Sequence, residues 1–277
     1  MVLSEPGDPA AWGGKVVLVS GGARGQGLSH AMAFARRGAH VVVLDAPPEL
    51  ETVPYPLSTT EDLDAARAQL DAAGSGTVLG YAADVRDADA VQHAVDHAVA
   101  RLGGIDVAIA NAGVFSFAPT TWQLSPQTWK QCCDVVLYGS WTLARAAVPY
   151  MMERPGANLV FVGSVSAHKG IAATGHYVAA KHGVVGLMRT LAVELAPHGI
   201  RSNMVSPTAA RTVMATNPAM AECVKYQEAG GTDMSNLLAV ELLEPEDVTE
   251  AVLWVASPSA RYVTGDVIKV DAGFTVR

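Results

Sequence analysis

Ser20-Gly21-Gly22-Ala23-Arg24-Gly25-Gln26-Gly27 stands between a short apolar run, Val16-Val17-Leu18-Val19, and Leu28-Ser29-His30-Ala31-Met32-Ala33-Phe34-Ala35, which reads as a helix. Strand, glycine turn and helix in that order bring several backbone N–H groups and the positive end of a helix dipole to one point, which suits a pyrophosphate. A Cβ in such a turn would hold phosphates off the backbone or strike the strand beneath. The spacing is Gly21-x-x-x-Gly25-x-Gly27. Read from Gly25 as the commoner G-x-G-x-x-G, the third glycine would fall on His30, so that fingerprint fails. A glycine turn also serves as an ordinary tight turn, and residues downstream decide between the two.

The next apolar run, His40-Val41-Val42-Val43-Leu44-Asp45, is rich in β-branched residues and ends in a carboxylate 20 positions after Gly25. In a βαβ nucleotide unit an acid there accepts hydrogen bonds from both adenosine ribose hydroxyls and repels a 2′-phosphate, so it favours NAD over NADP. Asp84, with Val85 beside it, follows a strand at about 77–82 and suits the adenine amino group. Ala110-Asn111-Ala112-Gly113 closes a strand at about 105–110 with small residues that let a cofactor pass closely.

Further strands are expected at about 158–163, 200–205 and 266–270, and helices at about 28–37, 61–73, 88–102, 126–153, 175–196 and 245–256. Strands alternating with helices, without repeat or linker, predict one α/β domain over 1–277 with a Rossmann-type doubly wound parallel sheet. Two stretches break the rhythm. Residues 46–60 carry prolines at 47, 48, 54 and 56 where a connection of about 2–6 residues is usual, and they read as a cover for the adenosine side of the cofactor. Residues 209–243 are polar and irregular, and read as a substrate-side segment.

Half of the 277 residues are apolar, 17% are charged and the net charge is -8, which argues against nucleic acid or an anionic membrane surface as partner. No apolar run reaches the roughly 18 residues of a membrane span, and the N-terminus lacks the regions of a signal peptide, so a cytoplasmic location is expected. Cys132, Cys133 and Cys223 lack metal-ligand spacing and read as small buried apolar residues, and the eight histidines show no ligand pairing, so no metal is expected.

Tyr177 and Lys181 lie four apart on one expected helix and project side by side. A phenol is a poor base at neutral pH, and an ammonium within a few Å favours the phenolate. The lysine also reaches the ribose of a bound nucleotide. Ser164, at the tip of the preceding strand, can donate to the same substrate oxygen. The three describe proton transfer at an alcohol or carbonyl while hydride passes to nicotinamide.

With these residues in this order the chain resembles the short-chain dehydrogenase/reductase family over about residues 14–273. Its cofactor loop has serine in place of the family's threonine, and Ala110-Asn111-Ala112-Gly113 resembles the family's Asn-Asn-Ala-Gly. Ser164, Tyr177 and Lys181 match the catalytic positions. Pro207-Thr208-Ala209-Ala210-Arg211-Thr212 resembles the segment that holds the nicotinamide carboxamide, here through the backbone near Ala210 and the Thr212 hydroxyl. Gly22–Gly27, Ser29-His30 and the insertion around 54–63 are similar to the mycofactocin-associated subgroup, which includes carveol dehydrogenases. The resemblance implies a bound NAD, a peptide-derived redox partner and a homotetramer.

Two positions depart from the family pattern. Arg24 sits where some NADP-preferring relatives carry a basic residue, which motivates the alternative of an NADP-dependent ketone reductase; Asp45 opposes it. Asp134-Val135-Val136-Leu137-Tyr138-Gly139 aligns with Asp-Val-Asn-Leu-x-Gly, so the asparagine of the family's catalytic tetrad is Val136. In the family its carbonyl holds a water that leads from the lysine to solvent. Val136 puts that proton exchange in doubt and motivates a second alternative, a catalytically idle NAD-binding protein. The substrate is expected to be an apolar alcohol or ketone, cyclic and terpenoid-like, against Val114, Phe115, Val165, Ile171, Met214 and the 209–243 segment.

Overall fold

Val17 and Leu18 point to opposite sides of one parallel sheet, and each is fully enclosed. The structure, a computed structural model, describes residues 12–45 and 50–277. Its strands are β1 (Val16–Ser20), β2 (His40–Asp45), β3 (Val78–Ala82), β4 (Val107–Ala110), β5 (Asn158–Val162), β6 (Arg201–Pro207) and β7 (Val267–Val270). Their order is β3-β2-β1-β4-β5-β6-β7, all parallel. A parallel sheet needs both faces covered, and near-continuous apolar strands such as Val41-Val42-Val43-Leu44 follow from that. Leu18 faces a layer with Val95, Leu143, Phe161 and Met188. Val17 and Val19 face the other layer, with Phe34, Leu70 and Val252.

Nine α-helices are found among the described residues: α1 (Gly25–Ala35), α2 (Thr60–Ala73), α3 (Ala88–Leu102), α4 (Pro126–Cys133), α5 (Gly139–Met151), α6 (Gly175–Leu195), α7 (Val213–Thr216), α8 (Met220–Ala229) and α9 (Pro245–Ala256). Local chemistry sets their ends. Thr59 and Asp62 form a capping box on α2, Asp87 caps α3, and Gly103 closes α3 at φ 85°.

Three boundaries differ from expectation. Helix α1 starts at Gly25 and not near 28, because the glycine turn itself supplies the first helical N–H groups. The long helix expected over 126–153 is divided: α4 and α5 are joined by a π-helical turn, Asp134–Tyr138. The 209–243 stretch is not wholly irregular, since it contains α7 and α8. Helix α8 buries only Cys223 and Gln227, which gives no apolar stripe to read.

Strand order reverses between β1 and β4, and the crevice at the carboxyl ends of those strands is where this architecture places ligands. Of the insertion, residues 46–49 lie outside the described residues. The remainder is docked: Leu50 packs with Val85, Val114 and Val135, and Tyr55 and Ser58 are buried.

Helix α1 is tied to α9 by His30, which is fully enclosed. Its Nδ1 lies 2.8 Å from the Thr249 hydroxyl, which itself donates to the Pro245 carbonyl at 2.9 Å, so the ring nitrogen is the donor. Burial pushes the imidazole pKa down to about 3. An unfolded histidine takes up a proton as pH falls through about 6.5, whereas the folded one resists until about 3, so stability is lost on acidification across that window. The urea midpoint should fall between pH 7 and pH 5 by an amount equivalent to about 2 kcal/mol from this residue. His30→Asn, which keeps a donor toward Thr249, should remove that part of the slope. An identical slope in the variant would contradict this account.

Candidate active site

A cavity of about 460 Å³ runs along the crevice from Asp45 at one end to Tyr177 and Lys181 at the other. Gly21, Gly25 and Gly27 line it. A Cβ on Gly27 would stand 2.0 Å from the Gly21 carbonyl oxygen, and one on Gly21 would stand 2.9 Å from Ala112 Cα. The turn therefore lies directly on the tip of β4. Asn111 also lines the cavity, but its amide is used in holding the turn: Nδ2 donates to the Ser20 and Gly21 carbonyls at 3.0 Å each. The Ser20 hydroxyl in return accepts from the Asn111 and Ala112 N–H groups at 3.1 and 3.2 Å. The first turn of α1 has neither a side-chain cap nor an acidic residue, so its N–H groups, including that of Gln26, remain for an anion. Backbone cradle, free donors and the acid at Asp45 fit the diphosphate and ribose of a dinucleotide.

Asp45 accepts from the Ala23 N–H at 2.9 Å and from the Ser58 hydroxyl at 2.5 Å, so Ala23 serves through its backbone and is itself buried. Arg24 donates to the Pro56 carbonyl at 2.5 Å and pins the insertion to the glycine turn. Asp84 is paired with Arg86, whose Nη2 is 2.7 Å away, and Arg211 with Glu244 at 2.8 Å. The arginines along the cavity each have a partner among the described residues. A 2′-phosphate would meet the Asp45 carboxylate, with Arg24, Arg86 and Arg211 already engaged elsewhere.

At the inner end, α6 carries Tyr177 and Lys181 and the loop after β5 carries Ser164. Tyr177 is 8% exposed and Lys181 5%. Burial pushes the phenol above its ordinary range, while a hydrogen bond from Ser164 pulls it back. Burial also lowers Lys181 to about 8; its ammonium donates to the Val162 carbonyl at 2.7 Å and lies 5.6 Å from the centre of the Tyr177 ring. The expected lowering of the phenol by this ammonium does not set its state: burial of the phenol is the largest cause, and it raises the pKa. Cys132 sits nearby as a neutral thiol, pushed up to about 12 by burial. The Ser206 hydroxyl clamps the Ser164 backbone, accepting from its N–H at 3.2 Å and donating to its carbonyl at 2.9 Å.

The substrate-side residues divide. Val114 and Met214 line the cavity. Phe115 packs edge-to-face on Tyr177 with ring centres 5.2 Å apart. Val165 and Ile171 do not line it: they are buried against Phe274, because the C-terminal segment folds over that loop. Asp84, Val85, Gly113 and Thr212 line the cavity, whereas Pro207 and Ala210 do not. Ala210 is held by a bridge to Leu243. Tyr55, Leu57 and Ser58 of the insertion also line the cavity. The proline-stiffened stretch was the sequence signal for them, but without periodicity it did not say which side chains turn inward.

Val136 is fully enclosed in the π-helical turn, within the cluster that holds Cys132, Leu143 and Tyr177. Its carbonyl accepts the Ser140 hydroxyl at 2.6 Å. The surroundings of the side chain are apolar, and a protein hydroxyl is already on the carbonyl. Val136→Asn should destabilise the fold by about 1–3 kcal/mol and should not speed turnover, because the buried amide finds no partner. A variant of unchanged melting temperature and faster turnover would contradict this.

Comparison with known proteins accords with the geometry. A family model described as enoyl-(acyl carrier protein) reductase matches residues 21–275. The chain is 39% identical to a (-)-trans-carveol dehydrogenase of Rhodococcus erythropolis over 274 residues, 95% of this chain and 98% of that protein. It is similar to the crystal structure of a carveol dehydrogenase from Mycobacterium avium in complex with NAD, at TM-score 0.91 and 37% identity, covering 97% of this chain and 100% of that one. It is also similar to a short chain dehydrogenase from Mycobacterium paratuberculosis bound to NAD, at TM-score 0.90 and 33% identity, covering 96% and 100%. A glycine turn packed on β4, an acid ending β2, and tyrosine and lysine at one end of the cavity with Ser164 hydrogen-bonded to the tyrosine thus occur in a chain that belongs to the short-chain dehydrogenase/reductase family.

Proposed function

We propose that the protein is an NAD-dependent alcohol dehydrogenase that interconverts a cyclic, apolar, terpenoid-like secondary alcohol and its ketone. One observation carries the reading: Tyr177 and Lys181 line one end of a cavity whose other end holds the glycine turn and Asp45, and Ser164 is hydrogen-bonded to Tyr177. The relatives named for carveol oxidation and the structures holding NAD support it. Asp45, and arginines already engaged with Pro56, Asp84 and Glu244, disfavour the NADP alternative.

When bound, NAD would supply the hydride acceptor and, in its oxidised form, a positive charge that favours the phenolate. As its phenolate, Tyr177 would take at Oη the proton that the alcohol hydroxyl loses as hydride leaves the carbinol carbon for the nicotinamide, and as the phenol would return it in the reverse direction. Ser164 Oγ donates to the substrate oxygen and fixes its distance from Tyr177. Lys181, held by the Val162 carbonyl, places its ammonium 5.6 Å from the centre of the phenol ring and would donate to a ribose hydroxyl of the bound cofactor. Apolar walls at Val114 and Met214 exclude water, which strengthens these interactions. The intact trio argues against a catalytically idle protein.

The docked insertion is consistent with NAD retained through turnover, with electrons leaving to a small redox partner. The exposed aromatic face of Trp129, Tyr138 and Trp141 on α4, the π-helical turn and α5 would pair chains into a homotetramer. Light scattering should then give a mass of four chains; that of one 28.8 kDa chain would contradict the pairing.

Tyr177→Phe should lower turnover of a cyclic secondary alcohol by about 10²–10⁴ while leaving NAD binding near normal, since the change removes a proton carrier and little apolar area. A variant that kept more than about a tenth of the activity would overturn the assignment.

A further inference from the structure

The insertion does more than lie over the adenosine end. Tyr55 reaches along the cavity, is 8% exposed, and its hydroxyl accepts the Phe115 N–H at 2.9 Å. Phe115 belongs to a short strip that is joined to the start of α6 at several points. The Phe115 ring packs edge-to-face on Tyr177 at 5.2 Å and 81°. The Ser116 hydroxyl lies 2.8 Å from Nε2 of His176, the residue before Tyr177. Ala118 donates its N–H to the Ala173 carbonyl at 3.1 Å. Val114, at the other end of the strip, forms part of the cavity wall. One side of the strip therefore sets the Tyr177 ring and the other is held by a residue of the insertion.

We infer that Tyr55 is a positioning residue for the reaction: by accepting the Phe115 N–H it holds the 114–116 strip, and through it the Tyr177 ring, in the reactive arrangement. The backbone N–H of Phe115 has Tyr55 as its partner among the described residues, and Leu50 of the insertion packs on Val114 beside it, so the tyrosine hydroxyl supplies the polar hold on a strip whose outer side is otherwise held by apolar packing. An unpaired N–H there would draw the strip toward water or another acceptor, and Phe115 would shift against Tyr177. The inference rests on the proposed role of Tyr177.

The test is Tyr55→Phe in the full chain, which keeps the ring and its packing and removes the acceptor. Three quantities are read: melting temperature, amide hydrogen exchange of the peptide containing Phe115, and steady-state kinetics at saturating NAD. The substrate is whichever alcohol of a cyclic secondary alcohol panel the unaltered enzyme oxidises fastest. The expected result is faster exchange at Phe115 and a kcat lowered about tenfold, with a smaller change in KM for the alcohol. A merely structural role would lower the melting temperature and leave kcat at saturating NAD unchanged. Unchanged exchange at Phe115, or unchanged kcat whatever happens to NAD release, overturns the inference. Tyr177→Phe run beside it separates the two ideas. If that variant stays active the acid–base assignment fails; if it is inactive while Tyr55→Phe keeps full kcat, only the positioning role fails. Should the unaltered enzyme oxidise none of the panel, the functional reading fails and the exchange measurement still decides whether Tyr55 fixes the strip.

Discussion

The arrangement of the site depends on how closely the backbone of the glycine turn approaches the tip of β4. Gly27 stands where any Cβ would strike the Gly21 carbonyl, and Gly21 where any Cβ would strike Ala112. Asn111 and Ser20 stitch the two segments with four hydrogen bonds, so a side chain that could have bound the cofactor is used to fix the cradle. Because β4 neighbours β5, and Ser164 follows β5, the same contact fixes where the cradle lies relative to the acid–base group. A nucleotide bridging the cavity spans two ends whose separation the sheet has already set, which lowers the entropy lost on binding.

Burial governs the chemistry at the inner end. It drives the Tyr177 phenol toward its neutral form and lowers the Lys181 ammonium to about 8, so the phenolate is disfavoured while the lysine remains a cation at neutral pH. In such a medium each added charge has a large effect. A positive nicotinamide ring would favour the phenolate, tying readiness to accept a proton to the presence of the oxidised cofactor. Ser164, steadied through Ser206, supplies the neutral donor that completes the set.

Much of this was legible in the chain because it rests on local chemistry. The β-branched run ending in Asp45, the four-residue step from Tyr177 to Lys181 and the small residues 110–113 each carry their own spatial consequence, and all of them reach the cavity or its rim. What the sequence hid depends on tertiary choice. Val165 and Ile171 are apolar and follow Ser164, as substrate-lining residues would, yet the C-terminal Phe274 claims them. Helix α8 escaped notice because it buries a cysteine and a glutamine in place of an apolar stripe. Tyr55 stood in a proline-rich stretch without periodicity, so nothing local indicated that it turns inward to Phe115. The π-helical turn at Val136 shows itself only in backbone bonding, and with it the Ser140 hydroxyl on the Val136 carbonyl.

The most direct measurement of the central claim follows a label. The purified protein, loaded with NAD, is mixed with a cyclic secondary alcohol deuterated at the carbinol carbon, then denatured, and the released nucleotide is weighed by mass spectrometry. The account predicts reduced nicotinamide carrying one deuterium, formed in the unaltered protein and not in Tyr177→Phe. Nucleotide released oxidised and unlabelled across a panel of such alcohols, or labelled equally in both proteins, would contradict it.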